Sequence, residues 1–529
     1  MRTLAALAAI CLLTGCDTPV GPKTGSGRSA PAVPTTQATA PAGSTVTVDP
    51  SQVRQSIDGF GGSNAWTALP SDATAQAAVV KLLFSTTEGA GLTIIRNRIP
   101  FREDTGNSSH TGYADNFMAK DSGGNYTYTT SGGHKSFSLN WSNWDLADTR
   151  TLYTQASAYS PQIRGFSTAW TPPNNQYDHW KIDDPSSGHL EGSVVNTIGG
   201  TYGDITSFPS IGGVLDPGHY QDYADVLADY AKNFQANMGY PLAAVSIQNE
   251  PNFLPQTYES CWWTMDDFHT FLPYLKSSWK AKGAGTPVIA AESYSFIADL
   301  LSESLQDSAT SGTVSIAAVH QYNASYPSSG AATVADSSFG AAWLTPLKQA
   351  GKRLWVTEVS KGSANDASIN DGIYWARLIH NDLTVAEVNA FCYWWLWTNG
   401  SSATLGSLIN VNGTTVTDNK RLYTLGQFSR FVRPGWVRLN AVTDPVSGVQ
   451  TSVFKDPNSQ SFAVVLINDA GASASVTVAA TKTIASAELY RTSATESLAD
   501  IQALAAGTKS LTVGLPALSV STVYGTLAP

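Results

Sequence analysis

The chain has 529 residues, 42% of them hydrophobic and 14% charged, which excludes a disordered protein and provides apolar surface for more than one core. Its formal charge of -10, without a Lys/Arg stripe, excludes nucleic acid as the partner and suits an uncharged ligand. The 15 Trp and 21 Tyr crowd into stretches such as CWWTM and CYWWLW, and rings with polar edges are what stacks on flat, hydroxylated ligands such as sugars.

In chain order, residues 1–16 (MRTLAALAAICLLTGC) join Arg2 to an apolar run of signal-peptide length, too short to span a bilayer. LLTGC resembles the lipobox of bacterial lipoproteins, which implies cleavage before Cys16 and lipidation of that residue. The expectation is an extracytoplasmic protein anchored to a bacterial membrane, or a secreted one. Residues 17–44 are Pro, Thr, Ala and Gly without periodicity, which predicts a solvated linker. Val46 and Val48 alternate with Thr45 and Thr47, so strands are expected over 45–56, joining a later β domain.

From 57 to 436, apolar runs alternate with amphipathic patterns. Strands are predicted at 56–62, 92–99, 162–169, 243–249, 287–293, 314–322, 353–359 and 388–397, with a helical pattern after each. Eight β/α units predict a parallel sheet closed into a (β/α)8 TIM barrel. An open doubly wound sheet would want a glycine-rich phosphate fingerprint after its first strand, and none is there. Over 437–529 the helical period vanishes into short β-branched runs spaced by turns, which predicts an antiparallel β-sandwich. Cys261 and Cys392 fall in the folded part, and sequence does not decide whether they bond. One barrel that hides its helices' apolar faces makes a monomer the expectation.

Reacting groups in such a barrel sit at the carboxyl ends of the strands. Those ends carry Arg96 and Arg98 (second), Asn249 and Glu250 (fourth), Glu292 (fifth), His320 and Tyr322 (sixth), Glu358 (seventh), and Trp394, Trp395 and Trp397 (eighth). Strands four and seven lie on different sides of an eight-membered ring, so Glu250 and Glu358 can address one bond from both sides. Paired carboxyl groups suit glycoside hydrolysis, one protonating the leaving oxygen while the other attacks the anomeric carbon. The eight His are dispersed without HExxH spacing, and no GxSxG elbow occurs, so neither metal nor cofactor is expected.

SIDGFGGSNAW at the first strand, SIQNEPNF at the fourth, LWVTEVS at the seventh and FSRFVRPGWVRL entering the sandwich together resemble glycoside hydrolase family 30, over nearly everything from residue 45 onward. NEP alone is shared by many barrel glycosidases; the four motifs in order are specific. The resemblance implies a retaining enzyme with Glu250 as acid/base and Glu358 as nucleophile. It further implies that Asn249 bonds the sugar 2-hydroxyl, that Arg96 and Tyr322 touch the nucleophile, and that Trp170 and Trp395 wall the adjoining sugar subsite. His320 joins the substrate-binding set, Glu292 supports it, and Arg98 is left as a structural ion pair. QTYESCWWT (256–264) resembles the stretch after the acid/base in xylanases of the family and favours an endo-acting enzyme on β-1,4-xylan, with polysaccharide as partner. Glucuronoxylan-specific members carry an arginine in the loop after the eighth strand; here that loop, 398–420, has none. An endo-β-1,6-glucanase, a β-1,6-galactanase or a non-catalytic glycan-binding lipoprotein are the alternatives.

Overall fold

The computed structural model describes residues 44–103, 115–182, 209–255, 258–322, 344–360, 366–400, 406–504 and 506–529. The signal peptide, Cys16 and the linker up to residue 43 lie outside the described residues, as do positions 401–405 of the loop after the eighth strand.

Eight parallel strands close into a barrel in chain order: Gly59–Ser63, Ile94–Ile99, Arg164–Ala169, Leu242–Ser246, Val288–Ser293, Ile316–His320, Arg353–Glu358 and Ala390–Trp395, the last pairing with the first. Covered by helices outside and packed within, these strands are buried nearly throughout, which is why they read as continuous apolar runs. Ile94, Phe166, Ala244, Ile289, Ile316, Ala318, Trp355, Ala390 and Cys392 fill the barrel interior. The first strand is glycine-rich because its neighbour presses on it: a Cβ on Gly61 would stand 2.0 Å from the carbonyl oxygen of Ile94.

Three predicted strands overran their carboxyl ends by two or more residues. The fourth ladder stops at Ser246 rather than 249, the sixth spans only Ile316–His320, and the eighth ends at Trp395, after which Trp397–Asn399 starts a separate three-stranded sheet. The pairing slips by one residue at three places near the barrel mouth, making Glu292, Thr357 and Trp394 extra residues in strands five, seven and eight. Such bulges re-aim side chains and end regular pairing, and an apolar pattern carries no mark of them. The helix expected after the fourth strand forms as Met265–Lys282, started by a reciprocal cap between Thr264 and Asp267 and stopped by Gly283 in the left-handed conformation. The helical pattern expected after the fifth strand gives only a 3-10 turn at Asp299–Leu301 and a short helix at Ser302–Gln306.

The second unit is one hydrogen-bonded sheet of nine strands. The strand Ala474–Thr492 changes partners along its length: residues 474–479 pair with Thr508–Leu515, and 486–492 pair with Ser519–Leu527. Pairing is antiparallel except that Thr45–Val48 runs parallel to residues 477–480. Val53–Ser56 adds to the opposite edge beside Val437–Leu439. Along Ser461–Asn468 the side chains alternate. Phe462, Val464 and Leu466 enter the core of the sheet unit, while Ala463, Val465 and Ile467 join the core that extends over the barrel helices Ile369–Asn381 and Lys420–Ser429. One face of the sheet thus packs in the same apolar core as the barrel helices, while its other face has a core of its own. Cys261 and Cys392 are free and buried, and burial pushes the Cys261 thiol up to about 12. Among the described residues no helix is long and apolar enough to cross a membrane.

Candidate active site

At the carboxyl ends of the strands a fully buried arginine organises the centre. From the second strand, Arg96 pairs through Nη1 with Glu358 Oε2, and through Nη2 it donates to Asn249 Oδ1 at 2.7 Å and Glu292 Oε1 at 3.1 Å. Its Nε donates to Thr168 Oγ1 at 3.3 Å. The other oxygen of Glu358 accepts the Tyr322 hydroxyl at 2.7 Å. Glu250 accepts the Tyr258 hydroxyl on Oε2 at 2.9 Å and faces His320 Nδ1 with Oε1 at 3.0 Å. One carboxylate oxygen of Glu250, one of Glu358 and a ring nitrogen of His320 all lie within 4.8 Å of one another. That spacing would admit a cation, but Arg96 and a protonated His320 already supply positive charge there.

Backbone contacts between neighbouring strands fix this geometry. The Asn249 N–H donates to the Ala169 carbonyl at 2.7 Å and the Glu250 N–H to the Glu292 carbonyl at 3.1 Å. Glu250 and Glu292 hold φ values of 44° and 36°, in the left-handed region that non-glycine residues seldom enter. Strain of that kind costs about 1–3 kcal/mol per residue and persists where surrounding contacts over-determine it.

The charges form a closed set: two cations, Arg96 and His320, among three buried carboxyls. Burial opposes ionisation of Glu292, but Arg96 and His320 outweigh it and hold its carboxyl down at about 2. Burial likewise opposes protonation of His320, yet Glu358, Glu250 and Glu292 raise its pKa to about 9. Burial raises the Glu358 carboxyl, and His320 and Arg96 pull it back. Arg96 and Tyr322 donate to both oxygens of Glu358, which fixes the direction in which that carboxyl points.

Because folding raises the pKa of His320 above its unfolded value near 6.5, its contribution to stability is whole below that pH and lost as pH climbs through about 9. Denaturant unfolding is therefore expected to show stability falling by about 3 kcal/mol across that window, at about 1.4 kcal/mol per pKa unit. His320→Gln should flatten this limb; an unchanged slope would mean that His320 does not gain its proton on folding.

Aromatic rings flank the carboxyl pair on two sides. On one, the Arg96 guanidinium lies 4.5 Å from the centroid of Trp170 and 5.5 Å from that of Trp394. Trp66 meets Trp170 edge-on at 4.9 Å, and Trp395 packs on Trp394 at 5.4 Å. Trp170 is only 1% exposed, while Trp395 is half-buried. On the other side Tyr322 stacks on Tyr294, and Tyr294 on Phe253.

The centre therefore brings together Arg96, Asn249, Glu250, Glu292, His320, Tyr322 and Glu358, with Trp170 and Trp395 at its edge. Arg98 belongs to a separate buried cluster. It donates to Asp115 at 2.6 and 2.9 Å, Asp145 at 2.9 Å and Glu259 at 2.6 Å. Burial outweighs the pull of Arg98 on Asp145 and leaves that carboxyl at about 6. Sequence reasoning missed Tyr258, whose hydroxyl touches Glu250 from a loop eight residues downstream, and Trp66, which lies past the end of the first strand and whose Nε1 donates to Glu259 at 3.3 Å. It also missed Ser246, whose hydroxyl donates to Glu292 from the last residue of the fourth strand. Tyr258 sits in the quoted YESCWW stretch, but no strand-end rule reaches it.

No family model matches the sequence. Glucuronoxylanase XynC of Bacillus subtilis (strain 168) is 29% identical over 247 residues, covering 45% of this chain and 50% of that protein. An endo-beta-1,6-galactanase of Hypocrea rufa is 25% identical over 331 residues, covering 58% of this chain and 64% of that protein. The chain thus matches only half to under two thirds of the length of these curated relatives. Among solved structures, the catalytic domain of GH30 xylanase C from Talaromyces cellulolyticus superposes with a TM-score of 0.66 at 25% identity, covering 91% of this chain and 100% of that one.

Proposed function

We propose that this chain, which belongs to glycoside hydrolase family 30, is a retaining endo-glycosidase that cleaves a β-linked polysaccharide by double displacement, with β-1,4-xylan as the favoured substrate. The observation that carries the reading is the pair Glu250 and Glu358, with one carboxyl oxygen of each within 4.8 Å of the other. Retaining enzymes hold their two carboxyls about 5–5.5 Å apart, and inverting ones about 6.5–9.5 Å apart to admit a water.

Glu358, aimed by Arg96 and Tyr322, attacks the anomeric carbon while Glu250 passes its proton to the departing oxygen. A water then enters on the vacated side, ionised Glu250 takes its proton, and the oxygen displaces Glu358 with net retention. Arg96 occupies the side-chain oxygen Oδ1 of Asn249, so the side-chain Nδ2 group of Asn249 is presented to the sugar 2-hydroxyl. As Glu358 gives up its charge to the new bond, Arg96 keeps Glu292 as a counter-ion, which limits the electrostatic change at the buried centre.

Xylan is favoured by the YESCWW stretch and by the relation to glucuronoxylanase XynC. The loop over 398–420 has no arginine, so a glucuronic acid branch is not required. A β-1,6-galactanase is the second reading, supported by the relative of that name at comparable identity. The N-terminal LLTGC supports export and lipid attachment at Cys16, with the folded part working as a monomer outside the cytoplasm.

Proton NMR of the first products from xylan with and without glucuronic acid branches, β-1,6-glucan and arabinogalactan tests this. Early β-anomer from both xylans is expected. Early α-anomer would overturn double displacement, and release from a 1,6-linked polymer alone would replace the substrate.

A further inference from the structure

The line from Glu250 on the fourth strand to Glu358 on the seventh divides the barrel mouth into two arcs. The larger arc, over strands eight, one, two and three, holds Arg96 and the rings of Trp66, Trp170, Trp394 and Trp395. The smaller, over strands five and six, holds Tyr294 and Tyr322, with Phe253 from the loop after strand four stacked against Tyr294. In this second group Phe253 and Tyr294 lie 4.6 Å apart at 19°, and Tyr294 and Tyr322 lie 5.4 Å apart at 24°, all three half-buried.

We infer that the Phe253–Tyr294 ring pair is the platform for the leaving group, a neutral pyranose on the acid's side of the bond. This rests on the retaining-glycosidase reading above. A sugar with Asn249 at its 2-hydroxyl and its anomeric carbon facing Glu358 occupies the arc of Arg96 and the tryptophans. Its neighbour across the cleaved bond must then pass Glu250 toward strands five and six. The ring pair is indexed to that acid by the backbone: the Phe253 N–H donates to the Glu250 carbonyl at 2.9 Å, and the Tyr294 N–H donates to Asn252 Oδ1 at 2.9 Å. Proton donor and platform therefore move as one piece. Stacked rings that retain exposed surface offer an apolar face to the flat side of a sugar without demanding charge.

The test compares an oligosaccharide spanning the cleavage point with the β-glycosyl fluoride of the same sugar, whose fluoride leaving group has no use for a sugar platform. In Phe253→Ala and in Tyr294→Ala, kcat/KM on the oligosaccharide is expected to fall at least tenfold more than on the fluoride. Transfer of the glycosyl group to an added acceptor sugar is expected to fall with it. Tyr294→Phe, which keeps the ring, is expected to restore most of both. Parallel losses on the two substrates would assign the rings to bracing Tyr322 and the nucleophile, and no loss on the oligosaccharide would remove them from the binding path; either result overturns the inference. A wild-type protein that turns over neither substrate would instead remove the glycosidase reading itself.

Discussion

Glu358→Gln is expected to lower sugar release from every accepted polysaccharide by about 10⁴-fold or more, the scale of loss when a covalent nucleophile is removed. The amide is nearly isosteric, so the fold and substrate binding should survive. It cannot form the glycosyl ester, and it no longer offers the second carboxylate that Arg96 neutralises alongside Glu292. Glu358→Ala opens a more searching version. With the nucleophile gone, an α-glycosyl fluoride stands in for the covalent intermediate, and Glu250 can still deprotonate an acceptor sugar that attacks it. The variant should build glycosidic bonds from that fluoride without hydrolysing them. Equal sugar release by wild type and Glu358→Gln would remove the nucleophile assignment.

Arg98→Met is expected to cost about 3–5 kcal/mol in denaturant unfolding, the penalty for leaving buried charge without its partner. Here one guanidinium answers Asp115, Asp145 and Glu259, all buried. Its loss leaves several carboxyls to be protonated or hydrated, so the stability deficit should shrink as pH is lowered. Lysine should restore little, because a single ammonium cannot reproduce the forked contacts to three partners. A loss below about 1 kcal/mol would place this cluster among surface-type ion pairs.

The eight strands and their order were legible because a parallel sheet covered on both faces writes apolar runs that local pattern reads directly. Glu250 and Glu358 stood out for the related reason that a charged group where such a run stops has nothing local to justify it. What the pattern could not carry was the mouth. Glu292 and Trp394 are surplus residues in their ladders, and a surplus residue inverts the inside–outside count from that point on. Arg96 and Arg98, two residues apart on one strand, are equivalent by strand position and are told apart only by the family resemblance; their separation into two clusters is decided by Asp115, Asp145 and Glu259, which come from distant parts of the chain. Tyr258 reaches Glu250 from a loop, and loop geometry is set by the contacts at its ends rather than by periodicity. The change of partners along Ala474–Thr492 does leave a mark, since its buried positions are even-numbered from Val476 to Ile484 and odd-numbered at Ala487 and Leu489, so that the sequence reads there as two runs.

The two short edge strands have a consequence for how the chain is made. Thr45–Val48 and Val53–Ser56 are synthesised before every barrel strand, yet their hydrogen-bonding partners are residues 477–480 and Val437–Leu439, roughly four hundred positions downstream. Both segments must wait unpaired through nearly the whole of synthesis, so the polypeptide cannot mature piecemeal from its amino end. Completion is gated by the arrival of its tail, and nascent fragments lacking that tail present open β edges to any chaperone or neighbour they meet.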